Sequence, residues 1–275
     1  IHDTVNAQYT NGFCDCCGIY DAPELVDDVY QIGNAGQLYW FAQQVNSGKP
    51  YINAVLTADI TINKNVLIDG ELNPDTTVVN GFRTWTPIGK GTDHSYYGSF
   101  DGQNHSISGL YYQGGDFYVG LFGYLSYGAV VKNLKLTDSY FNVDASGTSH
   151  FYAGGIAASL TGGRIENCRN EANLRVNYDY SADVGGIVGF VSTNGTVSHC
   201  RNSGKLHGGN TDILSIGGIV GTAVGVITDC GNTGDIIVDN GVNTIVGGVS
   251  NGGTLENCFN TGSFDITSTV FYPGG

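Results

Sequence analysis

Methionine is absent from the 275 residues, proline occurs five times, and only 13 % of the residues are charged, about half the ordinary share. No apolar run approaches the ~18 residues of a transmembrane helix, so the sequence predicts no transmembrane segment. Lysine and arginine total 11 against 25 aspartates and glutamates, which gives a net charge of −14. Because so few cations cannot neutralise a phosphate backbone, we expect no nucleic-acid partner.

Glycine is the residue in excess. The 43 glycines are about twice the usual share, and they do not recur at every third position, which excludes collagen. This glycine content disfavours long helices. Hydrophobic residues nevertheless make up 41 % of the chain, which is enough to bury a core and excludes a disordered acidic tail.

The late cysteines mark an internal repeat. Each stands in the phrase apolar-x-polar-Cys-x-Asn, and in every unit a phrase of glycine followed by an apolar residue precedes it. The glycine before that apolar residue stands at 120, 155, 186, 218 and 248, so the unit recurs every 30–35 residues. Such a period indicates a repeat architecture. The repeated cysteines and asparagines are Cys168, Asn170, Cys200, Asn202, Cys230, Asn232, Cys258 and Asn260.

Each unit contains three short predicted strands, separated by turn sequences such as Thr-Asn-Gly at 193–195. An antiparallel sandwich or barrel would also have strands at this spacing. Like residues at matching positions in every unit favour stacked coils instead. We therefore predict an all-β, right-handed parallel β-helix, since most parallel crossovers have that hand. Its asparagines would form a hydrogen-bonded ladder with a step of ~4.8 Å.

The repeated cysteine is predicted to be a buried packing residue. Leu134 takes the place of Cys168 in the earliest unit, and a thiol behaves as a small hydrophobe. The alternatives are a column of metal ligands or disulfides between coils. A straight stack has poor side-chain geometry for such disulfides.

Residues 34–48 carry a helical pattern ahead of the repeats. Leu38, Phe41, Ala42 and Val45 recur at helical spacing, between an asparagine and a glycine that suit the two ends of a helix. We predict that this N-terminal helix caps the open end of the solenoid. The predicted division is a cysteine-bearing segment at 1–27, the cap helix with the first β-helix coils at 28–112, and about five repeat coils at 113–275.

The order of several motifs resembles a known family. The motifs are Asn-Ala-Gly-Gln-Leu-x-x-Phe-Ala at 34–42, Trp-x-Pro-Ile-Gly at 85–89 and Phe-Asp-Gly-x-x-His-x-Ile-x-Gly-Leu at 100–110. Over roughly 28–275 the chain resembles the GLUG-repeat surface proteins of gut Firmicutes and related anaerobes. The resemblance implies an adhesin-like β-helix that is extracellular, either secreted or attached to the cell surface. Similar repeats flank some secreted immunoglobulin A peptidases, but no His-Glu-x-x-His motif is present here.

The last residues repeat the start of a coil. Phe-Tyr-Pro-Gly-Gly at 271–275 matches Phe-Tyr-Ala-Gly-Gly at 151–155. Because an open solenoid end exposes strand edges and core, we expect either a longer array or a partner that covers this end. The first hypothesis for function is a module for binding or structural presentation. The alternative is a subunit of a surface filament or layer that assembles end to end from copies of itself.

Three cysteines crowd the N-terminal segment. Cys14 and Cys17 have the spacing of half a zinc site, and His2 could add a ligand. No second pair follows nearby, so a disulfide between two of Cys14, Cys16 and Cys17 is the simpler prediction for an exported protein. We therefore expect neither a metal nor a cofactor.

We predict a protein without catalytic residues. Aspartates and glutamates are dispersed over the repeats, and neither a Gly-x-Ser-x-Gly motif nor a phosphate-binding loop is present. Because the β-helix fold also hosts polysaccharide lyases and glycosidases, a carbohydrate-active enzyme is a further alternative.

Tyrosine is abundant, with 17 copies that concentrate between positions 96 and 180. Exposed tyrosines suit sugar or protein binding, so we predict a binding surface for a host glycan or protein. The alternative is that the rings cover the sides of the core. The candidate binding residues are Tyr96, Tyr97, Tyr111, Tyr112, Tyr118, Tyr178 and Tyr180.

Overall fold

The structure, a computed structural model, describes residues 8–147, 149–209 and 212–273. The chain winds into a β-solenoid of about five turns, in which the strands of each coil lie parallel to those of the coil before. The predicted parallel β-helix is therefore confirmed. Among the described residues no helix is long and apolar enough to cross a bilayer.

Four sheets run along the solenoid, each built from equivalent strands of successive coils. Sheet 1 contains Phe122–Leu125, Ala157–Leu160, Val188–Val191, Val220–Ala223 and Ser250–Asn251. Sheet 2 contains Glu24–Val26, Val29–Ile32, Asn53–Leu56, Ser99–Asp101, Val130–Lys132, Gly163–Glu166, Gly195–Ser198, Val226–Thr228 and Thr254–Glu256. Sheet 3 contains Ile60–Thr61, Ser106–Ser108, Lys135–Thr137, Arg169–Asn170, Arg201–Asn202, Gly231–Asn232 and Phe259–Asn260. Sheet 4 contains Tyr111–Gly114, Tyr118–Val119, Tyr140–Ala145, His150–Gly154, Asn173–Tyr178, Ser181–Gly185, Leu206–Gly209, Ile213–Gly217, Ile236–Gly247 and Phe264–Pro273.

The remaining elements lie near the N-terminal end of the solenoid. Two small antiparallel ribbons pair Tyr9–Thr10 with Phe13–Cys14 and Leu67–Ile68 with Glu71–Leu72. The first two strands of sheet 2 are also antiparallel to each other. The helical elements are Ala35–Asn46, Thr76–Val79 and a 3₁₀ turn at Thr92–His94.

A typical coil has five short strands rather than the three that the turn sequences predict. The segment 196–202 reads as one strand, but the structure divides it at His199 between sheets 2 and 3. The strand Ile213–Gly217 was not predicted at all. The corner at His199 consists of a single left-handed residue, so no glycine or proline marks it in the sequence.

The predicted helix is confirmed at Ala35–Asn46. The side chain of Asn34 caps its start by accepting the Gln37 amide at 2.9 Å. The apolar side of the helix is buried, and the Phe41 ring lies 5.8 Å from the ring of Phe100. The helix thus connects two neighbouring strands of sheet 2 and packs on the core of the first coils.

Sheet 3 contains a column of asparagines that hydrogen-bond along the solenoid axis. Each carboxamide nitrogen donates to the carboxamide oxygen one coil further on, at 2.8, 2.8 and 2.7 Å. In Asn202 and Asn232 the amide also donates to a backbone carbonyl and accepts a backbone N–H two residues later. All the hydrogen-bonding positions of these two buried amides are therefore satisfied. The column consists of Asn170, Asn202, Asn232 and Asn260.

The Gly-Gly phrases of the repeat lie directly against this column. A Cβ on Gly155 would lie 2.4 Å from the Cγ of Asn170, and one on Gly186 would lie 2.3 Å from the Cγ of Asn202. A side chain larger than hydrogen therefore cannot stand opposite the asparagine. The two phrases of the repeat are one structural feature, because the glycine leaves the space that the asparagine occupies.

A left-handed residue ends each strand of sheet 2 in the repeats and turns the chain into sheet 3. Their φ angles lie between 50 and 55°. Asparagine, aspartate and histidine adopt this conformation more readily than other side chains. This preference explains the polar position before each repeat cysteine. The residues are Asn133, Asn167, His199, Asp229 and Asn257.

The repeat cysteines form a second column next to the asparagines. Cys168, Cys200 and Cys230 are buried, Cys258 is half-buried, and none of the four is in a disulfide. Each thiol donates to the carbonyl two residues earlier, at 3.2–3.3 Å. Burial raises the pKa of the Cys200 and Cys258 thiols. The column therefore consists of packed thiols that are not joined by disulfides.

We expect Asn202→Ala to lower the free energy of unfolding by about 3 kcal/mol, because the buried partners of the amide lose their hydrogen bonds. Equilibrium unfolding in urea measures the change. Asn194→Ala is the control, because this side chain is exposed, and its midpoint should match that of the wild type. Equal midpoints for the two variants would contradict the role of the column.

A double-mutant cycle tests the contact between glycine and asparagine. Gly155→Ala should cost about 1–3 kcal/mol because its Cβ overlaps the Asn170 carboxamide. The double variant with Asn170→Ala should cost about 1 kcal/mol less than the sum of the single changes. Gly91→Ala is the control, since the nearest atom to its added Cβ is 3.8 Å away. Additive free energies would show that the contact does not limit the size of residue 155.

Candidate functional site

Four of the seven tyrosines predicted to form a binding surface are buried, and the prediction is wrong for them. They are Tyr96, Tyr111, Tyr112 and Tyr178, each at most 5 % exposed. Their hydroxyls have partners inside the fold. Tyr96 donates to the Ile52 carbonyl at 3.0 Å, and Tyr178 donates to the Ser149 carbonyl at 2.7 Å. Because a tyrosine can be buried once its hydroxyl is bonded, abundance of tyrosine does not imply exposure.

The other three tyrosines reach the surface at separate places. Tyr97 is half-buried, with its ring 5.0 Å from that of Tyr51. Tyr180 is 42 % exposed in the loop between two strands of sheet 4. Tyr118 is half-buried and belongs to a larger group of side chains.

That group lies where sheet 4 turns into sheet 1, at the Gly-Gly corners. Two columns of side chains, one from each sheet, contact each other there. The sheet 4 column contains Tyr118, Tyr152, Asp183 and Ser215. The sheet 1 column contains Tyr124, Ser159, Phe190, Thr222 and Asn251. We call the surface formed by these two columns the crease.

Aromatic rings form the first part of the crease. Tyr118 and Tyr152 stack with centroids 5.4 Å apart and ring planes 12° from parallel. Tyr124 meets Tyr118 edge-on at 5.4 Å, and Phe190 lies 5.8 Å from Tyr152. The imidazole of His150 lies 4.8 Å from the ring of Tyr152. The four phenyl and phenol side chains are half-buried, so they keep part of their surface open.

A polar network forms the second part of the crease. The buried carboxylate of Asp183 lies 3.0 Å from Nε2 of His150 and accepts the Thr222 hydroxyl at 2.8 Å. The hydroxyls of Thr222 and Ser215 are 2.9 Å apart. Asn251 donates its amide to Ser215 at 2.7 Å. Aromatic and hydrogen-bonding groups are thus contiguous on one face.

Ser181 completes a serine–histidine–aspartate chain, with its Oγ 2.9 Å from Nδ1 of His150. A carboxylate that orients an imidazole, and an imidazole that accepts a serine proton, are the elements of an activated nucleophile. Ser181 is only 5 % exposed, however, so an acyl group has little access to its hydroxyl. The contacts of His150 with Ser181 and Asp183 hold its ring against Tyr152.

Tyr118 and Tyr152 of the crease keep their protons at neutral pH. Burial, followed by the negative charge of Asp183, raises the pKa of Tyr152 to about 12. Burial also raises the pKa of Tyr118, with a smaller effect from Tyr124. Both phenols therefore remain neutral hydrogen-bond donors.

The N-terminal cysteines are brought together by the fold. The Sγ atoms of Cys14, Cys16 and Cys17 all lie within 4.8 Å of one another. Cys14 is buried and the other two are exposed. Within the described part of the chain, no other group of three or more His, Cys, Asp or Glu side chains is close enough to share an ion. His2, the third predicted ligand, lies outside the described residues.

The fold defines a β-solenoid protein with a lateral crease. No family model and no curated protein matches the sequence. The crystal structure of a "putative immunoglobulin A1 protease" from Bacteroides ovatus has a similar fold, with a TM-score of 0.54. The match covers 92 % of this chain and 88 % of that chain at 19 % sequence identity. At this identity the likeness shows the fold alone.

Sequence reasoning found only Tyr118 among the crease residues. A usable signal was nevertheless present. Each residue of the sheet 4 column stands two residues before a glycine at the corner between sheet 4 and sheet 1. The four residues are Tyr118, Tyr152, Asp183 and Ser215. Alignment of the units on that glycine places these four residues in one column.

Alkaline pH should lower the free energy of unfolding through the Tyr152 phenol of the crease. Because the pKa of Tyr152 is about 12 in the folded chain and ~10 in an unfolded one, the native state binds this proton more tightly. Stability should therefore fall as pH rises from about 10 to 12. Urea unfolding across this range, together with phenolate absorbance, measures the effect.

Tyr152→Phe should make that decline shallower, and Asp183→Asn should lower the pKa of Tyr152 by removing a nearby negative charge. The comparison is made between the phenolate titration curves of the two variants and of the wild type. If the difference between the wild-type and Tyr152→Phe curves corresponds to one phenol of ordinary pKa, the raised pKa does not belong to Tyr152.

Proposed function

We propose that this chain is a non-catalytic, extracellular β-helix module whose crease binds a carbohydrate. The observation that carries the proposal is the contiguity of four half-buried aromatic rings with a hydrogen-bonded polar network. Tyrosine combines a flat apolar face with a polar end. The rings suit the C–H faces of a sugar, and the half-buried Thr222 and Asn251, which the buried Asp183 and Ser215 hold in place, suit its hydroxyls.

The arrangement favours an extended ligand. Neighbouring coils repeat at ~4.8 Å, so the two columns of the crease continue along the solenoid axis. A chain of sugars that lies along this axis would meet Tyr118 and Tyr152 first and then Thr222 and Asn251. A single small molecule would use only part of this surface.

The solenoid also makes the crease rigid. Tyr152 and Asp183 stand on paired strands of sheet 4, and their outer atoms are held by contacts with Phe190 and Thr222 of sheet 1. Side chains that are already ordered lose little conformational entropy when a ligand binds. This preorganisation supports a binding role for the crease.

Burial of Ser181 supports the non-catalytic part of the proposal, because its hydroxyl is bonded to the His150 imidazole and the residue is only 5 % exposed. We expect a serine-reactive fluorophosphonate to leave the folded chain unmodified. Mass spectrometry after incubation checks this, with Ser181→Ala as the control. Modification of the wild type but not of the variant would favour the enzyme instead.

Two further points support an extracellular adhesin-like role. The GLUG-type motifs at 34–42, 85–89 and 100–110 resemble those of bacterial surface proteins. The structural neighbour from Bacteroides ovatus is described by reference to immunoglobulin A1, which is an extracellular protein. We extend the location to this chain as part of the proposal.

Binding is tested with a panel of purified mucin, plant and bacterial cell-wall oligosaccharides, measured by calorimetry. We expect at least one member to bind, and Tyr118→Ala and Tyr152→Ala each to weaken that binding about tenfold, because each removes an open ring face. Asp183→Asn should weaken it as well, because the amide has one acceptor oxygen in place of the two carboxylate oxygens that hold His150 and Thr222.

The matched control is Tyr51→Ala, which removes a ring that is 70 % exposed and lies outside the crease. Its affinity should equal that of the wild type. Thermal unfolding of every variant separates lost binding from lost structure. Unchanged affinity in a folded Tyr152→Ala variant, or no binding by any panel member, would contradict the proposal.

A further inference from the structure

The sequence separates the three N-terminal thiols into a pair with zinc-type spacing and an extra cysteine, but the structure treats them as one group. All three Sγ atoms lie within 4.8 Å of one another, and those of Cys14 and Cys16 are 3.0 Å apart. We propose that Cys14, Cys16 and Cys17 bind one soft metal ion of the Zn²⁺ or Cd²⁺ type. This site is independent of the crease.

The backbone around the thiols has the form of a tight knuckle. The Gly18 amide donates to the Cys14 carbonyl at 2.8 Å, and the Cys14 amide donates to the Ile19 carbonyl at 2.8 Å. Gly18 has a φ of 71°, which a residue with a side chain seldom adopts. The chain therefore turns back immediately after Cys17, and this turn gathers the three sulfur atoms on one side.

The group is open to an ion from solvent, because Cys16 and Cys17 are exposed. A metal ion would take the place of the thiol protons, which would leave to solvent, and the three sulfurs would bind it as thiolates.

The rest of the fold holds the knuckle in place. Asn11, in the turn just before it, donates its side-chain amide to the Thr61 carbonyl at 2.8 Å, and its backbone carbonyl accepts the Gly36 amide at 2.9 Å. Phe13 is buried, and the guanidinium of Arg83 lies 3.8 Å above its ring. The segment that carries the thiols is thus fastened to the cap helix and the first coil.

The ligand set defines the class of ion. Three sulfur ligands favour soft ions over Mg²⁺ or Ca²⁺, which take oxygen ligands. Tetrahedral zinc with bonds of ~2.3 Å would separate its sulfurs by roughly 3.8 Å, so Cys14 and Cys16 need only a small movement apart. The three thiolates leave the fourth tetrahedral position to water or to a ligand from outside the described residues.

The test is a titration of the full chain with Cd²⁺ alone, because cadmium–thiolate bonds absorb in the ultraviolet. The chain is first reduced and then freed of reductant under anaerobic conditions. We expect the charge-transfer absorbance to rise linearly and to stop at one equivalent. Cys14→Ser, Cys16→Ser and Cys17→Ser should each lower the affinity roughly tenfold or more.

The matched control is Cys258→Ser, which removes a half-buried thiol of the cysteine column and should leave the titration unchanged. A band that disappears in Cys258→Ser but persists in Cys14→Ser would overturn the proposal. Absence of the band at excess Cd²⁺ would overturn it too. So would a disulfide that forms among the three cysteines in air although one equivalent of Cd²⁺ is present, because bound thiolates resist oxidation.

Discussion

A column of side-chain amides whose hydrogen bonds must be satisfied in four successive coils is the constraint on which the repeat region of the solenoid depends. The side chain of Asn202 bonds to the asparagine before it, to the asparagine after it, and to the backbone of its own turn. A coil with another residue at this position would leave buried partners unbonded, at a cost of ~1–3 kcal/mol for each group. The column also requires Gly186 opposite Asn202. These two requirements explain why both the glycine and the asparagine recur in each of these units, whereas the lengths of the segments vary.

The crease arises where this repetition is broken. The asparagine column has one residue type in four successive coils, whereas the sheet 4 column of the crease changes from tyrosine at Tyr118 and Tyr152 to Asp183 and Ser215. Packing does not require such a change, since the backbone pairing is the same in each coil. The uniform columns hold the coils in register, and the variable columns give one face a defined chemical sequence. A ligand that lies along the axis would meet apolar surface at one end and hydrogen-bonding groups at the other.

The uniform columns could be predicted from the sequence, whereas which tyrosines reach the surface could not. Cys168 and Asn170 recur with the period of the coil, so their stacking follows from the repeat alone. Tyr96 and Tyr152 both lie in strand-like segments rich in glycine and aromatics, yet only Tyr152 keeps part of its ring open. Which face a strand residue takes depends on the exact position of each corner. Corners such as His199 are single left-handed residues without glycine or proline, so the usual turn residues do not mark where the chain changes face.

The seven cysteines show how the backbone divides one residue type into two chemical groups. Cys200 lies in the core, donates to a carbonyl of its own coil and has a raised pKa because it is buried. Its thiol is therefore a packing group that neither oxidants nor metals reach readily. Cys14 accepts hydrogen bonds from the following turn, which lower its pKa, and its neighbours Cys16 and Cys17 are exposed. The column packs its thiols in the core, whereas the knuckle brings three thiols together at a surface that a cation can reach. The same side chain thus supports the fold in the repeats and offers a reactive group at the N-terminal end.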